Sequence, residues 1–403
     1  MHSRESESSG RQKVLCLGTV SLGETQRRLF AGSDERGRTS LQTSYDSSYG
    51  SQNFRDGSRR CSLVLQKEFA VDGARVIGID VSSSILVISG KAPGVGREHV
   101  LSKVSLLVPN EIDRIRLPSN TGAIRDMYIL SNQLALVASL GKKLSLFSMS
   151  SNNCVLEYDL PGPAWSCSGD LNSPYHIYAG LQNGMLLVFD MRQTARHLEC
   201  MEGLSRHPVH TIHSILDVSG TRKVLSASSL GPCVWHVGGS GERPFLIPGV
   251  ENQGVCISLA SGSSSDYIVA SFRPKVEFSN DGMPSQASSS PSPTVSGPGR
   301  LGSHVLMKRV NGASYQRHAV AYGNVSEARM SKSAIVSQDN SLQFAYGDES
   351  SHGVCLWDLP SFQVNNHLKP HPRPILDLKY AHTSGPGFLG CVSEDVCQVF
   401  TCF

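Results

Sequence analysis

Seven short segments of this chain are built alike and recur at a nearly constant pitch. They are "KVSLLVP" (103–109), "KLSLFSM" (143–149), "MLLVFDM" (185–191), "GPCVWHV" (231–237), "HVLMKRV" (304–310), "GVCLWDL" (353–359) and "VCQVFTC" (396–402). Taking Leu107, Phe147, Phe189, Trp235, Met307, Trp357 and Phe400 as anchors gives spacings of 40, 42, 46, 72, 50 and 43 residues. The gap of 72 holds "FSNDGMPSQASSSPSPTVSGPGRLG" (278–302), and without those 25 residues it rejoins the series. An apolar run ending in small residues precedes each anchor, as in "ILVISG", "LALVASLG" and "VLSASSLG". Before that run stands another, such as "VIGIDVS", "IRDMYIL" or "VCISLAS". Val, Ile, Leu and aromatics bounded by Gly, Ser, Asn and Pro are strand and turn signals. A fourth strand usually follows the anchor: "DRIRLP", "VLEYDLP", "RPFLIPG", "VNNHLKP".

Four strands repeating at about 40 to 45 residues is the signature of WD-repeat propellers. The chain therefore reads as all-β, a seven-bladed WD-repeat β-propeller. Its last blade has three strands before Phe403, and "SLVLQKEFAV" (62–71) stands unassigned ahead of blade one. That N-terminal strand is expected to complete the final blade, which closes the ring and removes two open sheet edges.

Residues 1–60 are rich in Ser, Arg, Gly and Glu and lack apolar periodicity. Such a segment cannot bury enough surface to offset its ordering entropy. It is expected to be a disordered N-terminal segment, with the propeller over 61–403 and 278–302 a disordered loop inserted in blade five. The net charge is +3, with no long basic run, which argues against direct nucleic-acid binding. No run of about 18 apolar residues is present, so no membrane-spanning helix is expected. The N-terminus has no apolar core of the kind a secretory signal needs. Eleven cysteines, several inside apolar strand-like runs, read as buried reduced thiols of an intracellular protein. None has the C-x-x-C spacing of a zinc ribbon, so no metal ligands and no cofactor site are expected.

Three motifs look like chemistry and read better as structure. "GKAPGVGREH" (90–99) contains Gly-x-Gly but lies between strands with no following helix, and reads as a hairpin loop. His207, His210 and His213 fall where a blade begins, and spacing of three on a strand alternates faces rather than gathering ligands. Ser290-Pro291 and Ser292-Pro293 lie in the low-complexity stretch and are weak phosphorylation candidates. No nucleophile–base arrangement stands out, so no catalytic residue is assigned. A propeller presents loops around a channel, and residues where each blade begins face a ligand there. Arg75, Asp126, Trp165, His210 and Arg373 hold such positions and are the candidate partner-binding residues. The plainer alternatives are that Trp165 packs between blades and that the charged groups only bond neighbouring loops.

"LALVASLGKKLSLFSM" (134–149) and "PGPAWSCSGDLNSPYHIYAGLQNGMLLVFDMRQT" (161–194) add a more specific signal. With their P-x-W-S-C element and Y-A-G-L-x-N-G…V-x-D-x-R run, they resemble the C-terminal propeller of the RING-finger-and-WD-repeat E3 ubiquitin ligases of DNA-damage repair. "KPHPRPI" and the closing "VSEDVCQVF" fit as well. The resemblance is densest over about 134–194 and extends more thinly over 60–403.

That family orders its chain as RING, coiled coil, propeller, and its RING needs eight Cys/His zinc ligands. Before residue 150 this sequence has only Cys16 and Cys61, and it has no heptad run. It thus reads as a truncated product, an incomplete gene model or a RING-less paralogue, with zinc only in the RING it lacks. The resemblance implies a nuclear protein, with the cytoplasm as a second compartment. Its propeller would recruit replication protein A or other replication-fork proteins, without ubiquitin transfer by this chain alone. The alternative is a non-catalytic WD-repeat scaffold of a complex unrelated to ubiquitin.

Overall fold

The computed structural model describes residues 61–92, 98–108, 111–131, 133–215, 221–239, 242–262, 265–274, 301–338, 341–383 and 385–403. The expectations for 1–60, for 278–300 and for the two Ser-Pro pairs lie outside the described residues.

β1 (Leu63–Ala70) comes first in the chain and belongs to the last sheet. Blade one holds β2 (Ile77–Asp80), β3 (Ile85–Lys91), β4 (His99–Ser105) and β5 (Ile112–Arg116). Blade two holds β6 (Ile124–Leu130), β7 (Leu134–Ser139), β8 (Lys143–Ser148) and β9 (Asn153–Asp159). Blade three holds β10 (Ala164–Gly169), β11 (His176–Leu181), β12 (Leu186–Asp190) and β13 (Glu199–Met201). Blade four holds β14 (Thr211–Ile215), β15 (Arg222–Ser228), β16 (Gly231–Val237) and β17 (Phe245–Leu246). Blade five holds β18 (Val255–Ser261), β19 (Tyr267–Arg273), β20 (Gly302–Asn311) and β21 (Ser314–Gly323). Blade six holds β22 (Ala334–Gln338), β23 (Ser341–Gly347), β24 (Val354–Asp358) and β25 (Gln363–His367). Blade seven holds β26 (Asp377–Ala381), β27 (Gly387–Val392) and β28 (Val396–Cys402), with β1 as its outer strand. The seven-bladed ring and its closure by the N-terminal strand are as the repeat pattern predicts.

Every neighbouring pair of strands is antiparallel, and β1 runs along β28 from Leu63↔Cys402 to Ala70↔Val396. The inner strands are buried along most of their length, while outer strands such as β5 and β25 face solvent. The core lies between blades. Leu136 and Leu144 of blade two meet Cys167, Ile177 and Phe189 of blade three. Ile77 and Leu86 of blade one meet Val392 and Val399 of blade seven. Each blade is too thin to bury its own faces, so the ring stabilises all seven sheets together.

The anchors Phe147, Phe189, Trp235, Met307, Trp357 and Phe400 are all buried in third strands. Trp235 satisfies its indole N–H by donating to Ser226 Oγ at 2.6 Å, as a buried indole must. Leu107 is a correction. It lies beyond β4 with 76% of its surface exposed, in a turn where Ser105 Oγ accepts the backbone N–H of Val108 at 3.0 Å. The true anchor is Val104, buried and paired with Leu86, and it gives an even spacing of 43 to Phe147.

The tight turn of "QNGM" rests on Gly184 at φ +85°, where a Cβ would stand 1.9 Å from the Ser205 carbonyl oxygen. The low-complexity stretch ends sooner than expected, because Gly302 already pairs in β20, packed where a Cβ would meet Val325 and the Phe272 carbonyl. Lys91 and His99 pair as the ends of β3 and β4, so "GKAPGVGREH" is a hairpin connection.

The thiols differ in part from expectation. Cys167, Cys233, Cys256, Cys355, Cys391 and Cys397 are buried and free, but Cys154 and Cys200 are exposed. Cys61 and Cys402 form a disulfide, because the closing register brings the start of β1 against the end of β28.

Candidate functional site

Every blade begins beside the central channel, and at three of these starts the first strand carries one extra residue. Pairing with the second strand skips Arg125 in β6, Trp165 in β10 and Ile257 in β18. A bulge of this kind frees a residue from the ladder and re-aims its side chain. All three bulge residues line one cavity of about 430 Å³ at the end of the channel where the first strands start. The other blades add residues just ahead of their first strands: Arg75, His210, Lys332 and Arg373.

Of the five residues singled out from sequence, the fold brings Arg75, Trp165, His210 and Arg373 to this funnel. Asp126 is placed elsewhere. It is buried below the funnel and lines the cavity of about 360 Å³ at the opposite end, where the first strands finish. The three histidines part company: His210 lines the funnel, and His213 lines the lower cavity with its Nε2 3.2 Å from the Leu259 carbonyl oxygen.

The funnel is cationic. Arg75, Lys91, Arg125, Arg273, Arg329, Lys332 and Arg373 line it, with Glu394 as the carboxylate among its lining residues. Arg373 pairs with Glu394 at 3.0 Å. Arg273 donates to the Glu327 carbonyl, and Lys332 donates to Asp126. Arg75, Lys91, Arg125 and Arg329 have no carboxylate within ion-pair distance among the described residues. The Arg125 guanidinium lies 4.0 Å from the centre of the Trp165 ring, so Trp165 does pack between blades two and three. Burial pulls the Arg125 pKa down, and the neighbouring charge of Arg75 adds to that. The Trp165 Nε1–H is buried without an acceptor among the described residues. His210 bonds Thr211 Oγ1 through Nδ1 at 2.9 Å, and its buried Nε2 meets no partner at hydrogen-bond geometry among the described residues. Burial pushes the His210 pKa down to about 4, only partly offset by backbone groups of Cys256 and Ser228, so the ring is neutral.

Beneath the funnel, the first strands are clasped to one another. Asp126 Oδ2 accepts the backbone N–H of Cys167 at 3.0 Å, tying blade two to blade three. Asp377 Oδ2 accepts the Ile77 N–H at 3.0 Å and ties blade seven to blade one. Ser166 donates to the Val209 carbonyl at 2.6 Å, and the Ser258 and Ser333 hydroxyls lie 2.6 Å apart. Burial alone would raise the Asp126 pKa, but Lys332 and Lys379 outweigh it and hold the carboxyl ionised. Lys379 stands 3.5 Å away, kept charged against burial by Asp126 and Asp377.

Asp126→Ala will leave the Lys332 and Lys379 ammonium groups without their shared carboxylate and remove the acceptor of the Met127 and Cys167 backbone N–H groups. A loss of about 3 kcal/mol is expected, read as a lower urea midpoint. An unchanged midpoint would show that the clasp contributes nothing.

Sequence reasoning missed Arg125, Lys91, Arg273, Arg329 and Lys332. Arg125 was within reach, because "IRD" aligned on "AWS" sets it at the position of Trp165.

Residues 63–401 match the family model of the E3 ubiquitin-protein ligase RFWD3 WD40 domain. The chain belongs to this family. It is similar to the E3 ubiquitin-protein ligase RFWD3 of Ailuropoda melanoleuca, 25% identical over 358 residues, which is 83% of this chain and 43% of that protein. The Homo sapiens protein of the same name is 24% identical over 359 residues, 85% of this chain and 44% of the relative. The Mus musculus one is 33% identical over 85 residues, 21% of this chain and 11% of the relative. The chain thus spans less than half the length of the RFWD3 relatives it matches. Among the motifs of this RFWD3-type propeller, the V-x-D-x-R run has a clear structural use. Asp190 is buried at the end of β12 and accepts from Arg192 Nε at 2.9 Å and Nη2 at 2.6 Å. Those bonds hold its carboxyl far below the usual range and fix the turn that leads from β12 toward β13.

Proposed function

We propose that this chain is the partner-recognition propeller of a nuclear ubiquitin ligase of the DNA-damage response. It recruits proteins of damaged or stalled replication forks, replication protein A first among them, and takes part in interstrand cross-link repair. The observation that carries this reading is the match to the RFWD3 WD40 domain over residues 63–401. That span takes in all seven blades and the funnel. Its ligands are proteins, not membranes or nucleic acid. Recognition is the contribution of this chain, and ubiquitin transfer is the activity named for the relatives. Supplied alone, the chain competes with an intact ligase for the same partners.

The test is calorimetric titration of the chain with replication protein A from the same source. A dissociation constant in the micromolar range or tighter is expected, together with slower ubiquitination when the chain is added to an intact ligase. No binding by a demonstrably folded chain, and no effect on the ligase, would transfer the propeller to a scaffold role unrelated to ubiquitin.

A further inference from the structure

We propose that the funnel is a receptor for an acidic peptide segment bearing phosphoserine or phosphothreonine, seated on Arg75, Lys91, Arg125 and Arg329. The inference rests on the protein-recruiting role above and names the chemistry that role would read.

Four observations lead to it. First, four cations of the funnel lack the carboxylate partners that several other cations of the propeller have among the described residues. Lys103 pairs with Asp113, Lys143 with Glu157 and Asp159, and Arg192 with Asp190. In the funnel, four cations from different parts of the ring converge without any carboxylate partner among the described residues. Gathering like charges around a concave, partly desolvated wall is unfavourable until an anion arrives.

Second, the wall offers an unused donor. The Trp165 Nε1–H is buried with no acceptor among the described residues, and Trp165 lines the same cavity as His210. Buried donors without acceptors are rare in folded proteins, and a ligand oxygen is what would satisfy them.

Third, the donor types suit phosphate. Three of the four unpaired cations are arginines, whose planar fork binds phosphate oxygens in pairs. A phosphorylated side chain carries close to two negative charges and three strong acceptor oxygens on one short stem.

Fourth, the shape favours a peptide over a nucleic acid. Single strands are bound by open aromatic platforms along a continuous groove. Here the one aromatic side chain of the lining, Trp165, is covered on a face by Arg125. Lys332 reaches across the channel to Asp126 beneath the funnel, which narrows the way for a continuous strand. A cavity of about 430 Å³ admits one or two anionic side chains entering from the open end.

The test uses the full chain and a short fluorescent peptide carrying two phosphoserines among Asp and Glu residues. Its unphosphorylated twin and a single-stranded oligonucleotide of similar charge are the comparisons. The phosphopeptide is expected to bind at least about tenfold more tightly than its twin. It should also quench Trp165 emission, since Trp235 and Trp357 are buried away from the funnel. Arg75→Glu with Arg329→Glu reverses two exposed, unpaired charges and should abolish phosphopeptide binding without changing the melting temperature. Trp165→Phe removes the donor while keeping the ring, and should weaken binding several-fold.

Tighter binding of the oligonucleotide than of the phosphopeptide would overturn the inference in favour of nucleic acid. Equal binding by the charge-reversed chain would overturn the siting. Retained replication protein A binding with no phosphopeptide binding would sink this inference and leave the recruiting role standing. Phosphopeptide binding with no replication protein A binding would support the receptor and count against the named partner alone.

Discussion

Deleting residues 61–71 is expected to leave a chain that no longer folds as a ring. β1 pairs with β28 at seven positions and lays Leu63 and Phe69 against the cores on either side of blade seven. β28 itself is buried from Cys397 to Cys402, so its far edge would become an open row of backbone donors and acceptors on an apolar strand. Two apolar side chains contribute about 2 kcal/mol each and the ladder bonds about 1 kcal/mol each, so the loss is on the order of 10 kcal/mol. That is comparable to the whole stability of an ordinary domain, about 5–15 kcal/mol. The bare edge would also invite pairing with other chains. Size-exclusion chromatography should show aggregate in place of monomer, and a synthetic peptide of residues 61–71 added during refolding should recover monomer. A Cys61→Ser variant removes the disulfide while keeping the strand, and should retain the folded ring. A monomeric deletion variant with an unchanged melting temperature would show that blade seven does not depend on β1.

This closing strand shows which parts of the fold a single sequence carries. "IRDMYIL" and "VCISLAS" coincide with β6 and β18, because alternating apolar residues between turn formers are local signals. β1 was assigned by what the last blade lacked, and its pairing with β28 bears that out. Blade one misled at "VSLLVP", where several apolar residues compete as the anchor and only burial distinguishes Val104 from Leu107. β13 and β21 carry too little apolar signal to be found, the first being three residues long and the second facing solvent along most of its length.

The funnel was legible to the extent that its residues sit where blades begin. Asp126, one residue from Arg125, lies off the funnel for a physical reason. A bulge turns the face of the strand, and no local pattern announces a bulge. Lys91 and Arg329 reach the funnel from a second strand and an inter-blade loop. Their convergence exists only once the ring has closed, so no linear spacing encodes it.

The ring should also lose stability on mild acidification, and the sign can be worked out. Burial pushes the pKa values of His210 and His213 down to about 4 and that of His304 to about 3. His304 is enclosed by Phe344, Tyr346 and Trp357, with Nδ1 2.8 Å from Ser271 Oγ, so its neutral form is built into blades five and six. In the unfolded chain these rings titrate near pH 6.5. Between that value and about pH 4 the unfolded state binds more protons, so stability is full above pH 6.5 and falls as pH drops. Each ring accounts for about 2 kcal/mol between pH 6.5 and 5. Asp377, whose pKa burial raises, works in the opposite direction as it protonates, but the histidines outnumber it, since burial also lowers the pKa of His99, His176 and His371. The depressed carboxyls, Asp126 and Asp348 among them, lose their contributions only below the ordinary carboxylate range, so the histidine window stands apart from theirs. Urea midpoints at pH 7.5, 6 and 5 should fall steeply between the last two. His304→Gln should reduce the slope by close to one proton, even though it lowers stability at pH 7.5. A midpoint that stays level from pH 7.5 to 5 would mean that these rings are already solvated or charged in the folded ring, and the sealed core between blades five and six would then have to be wet.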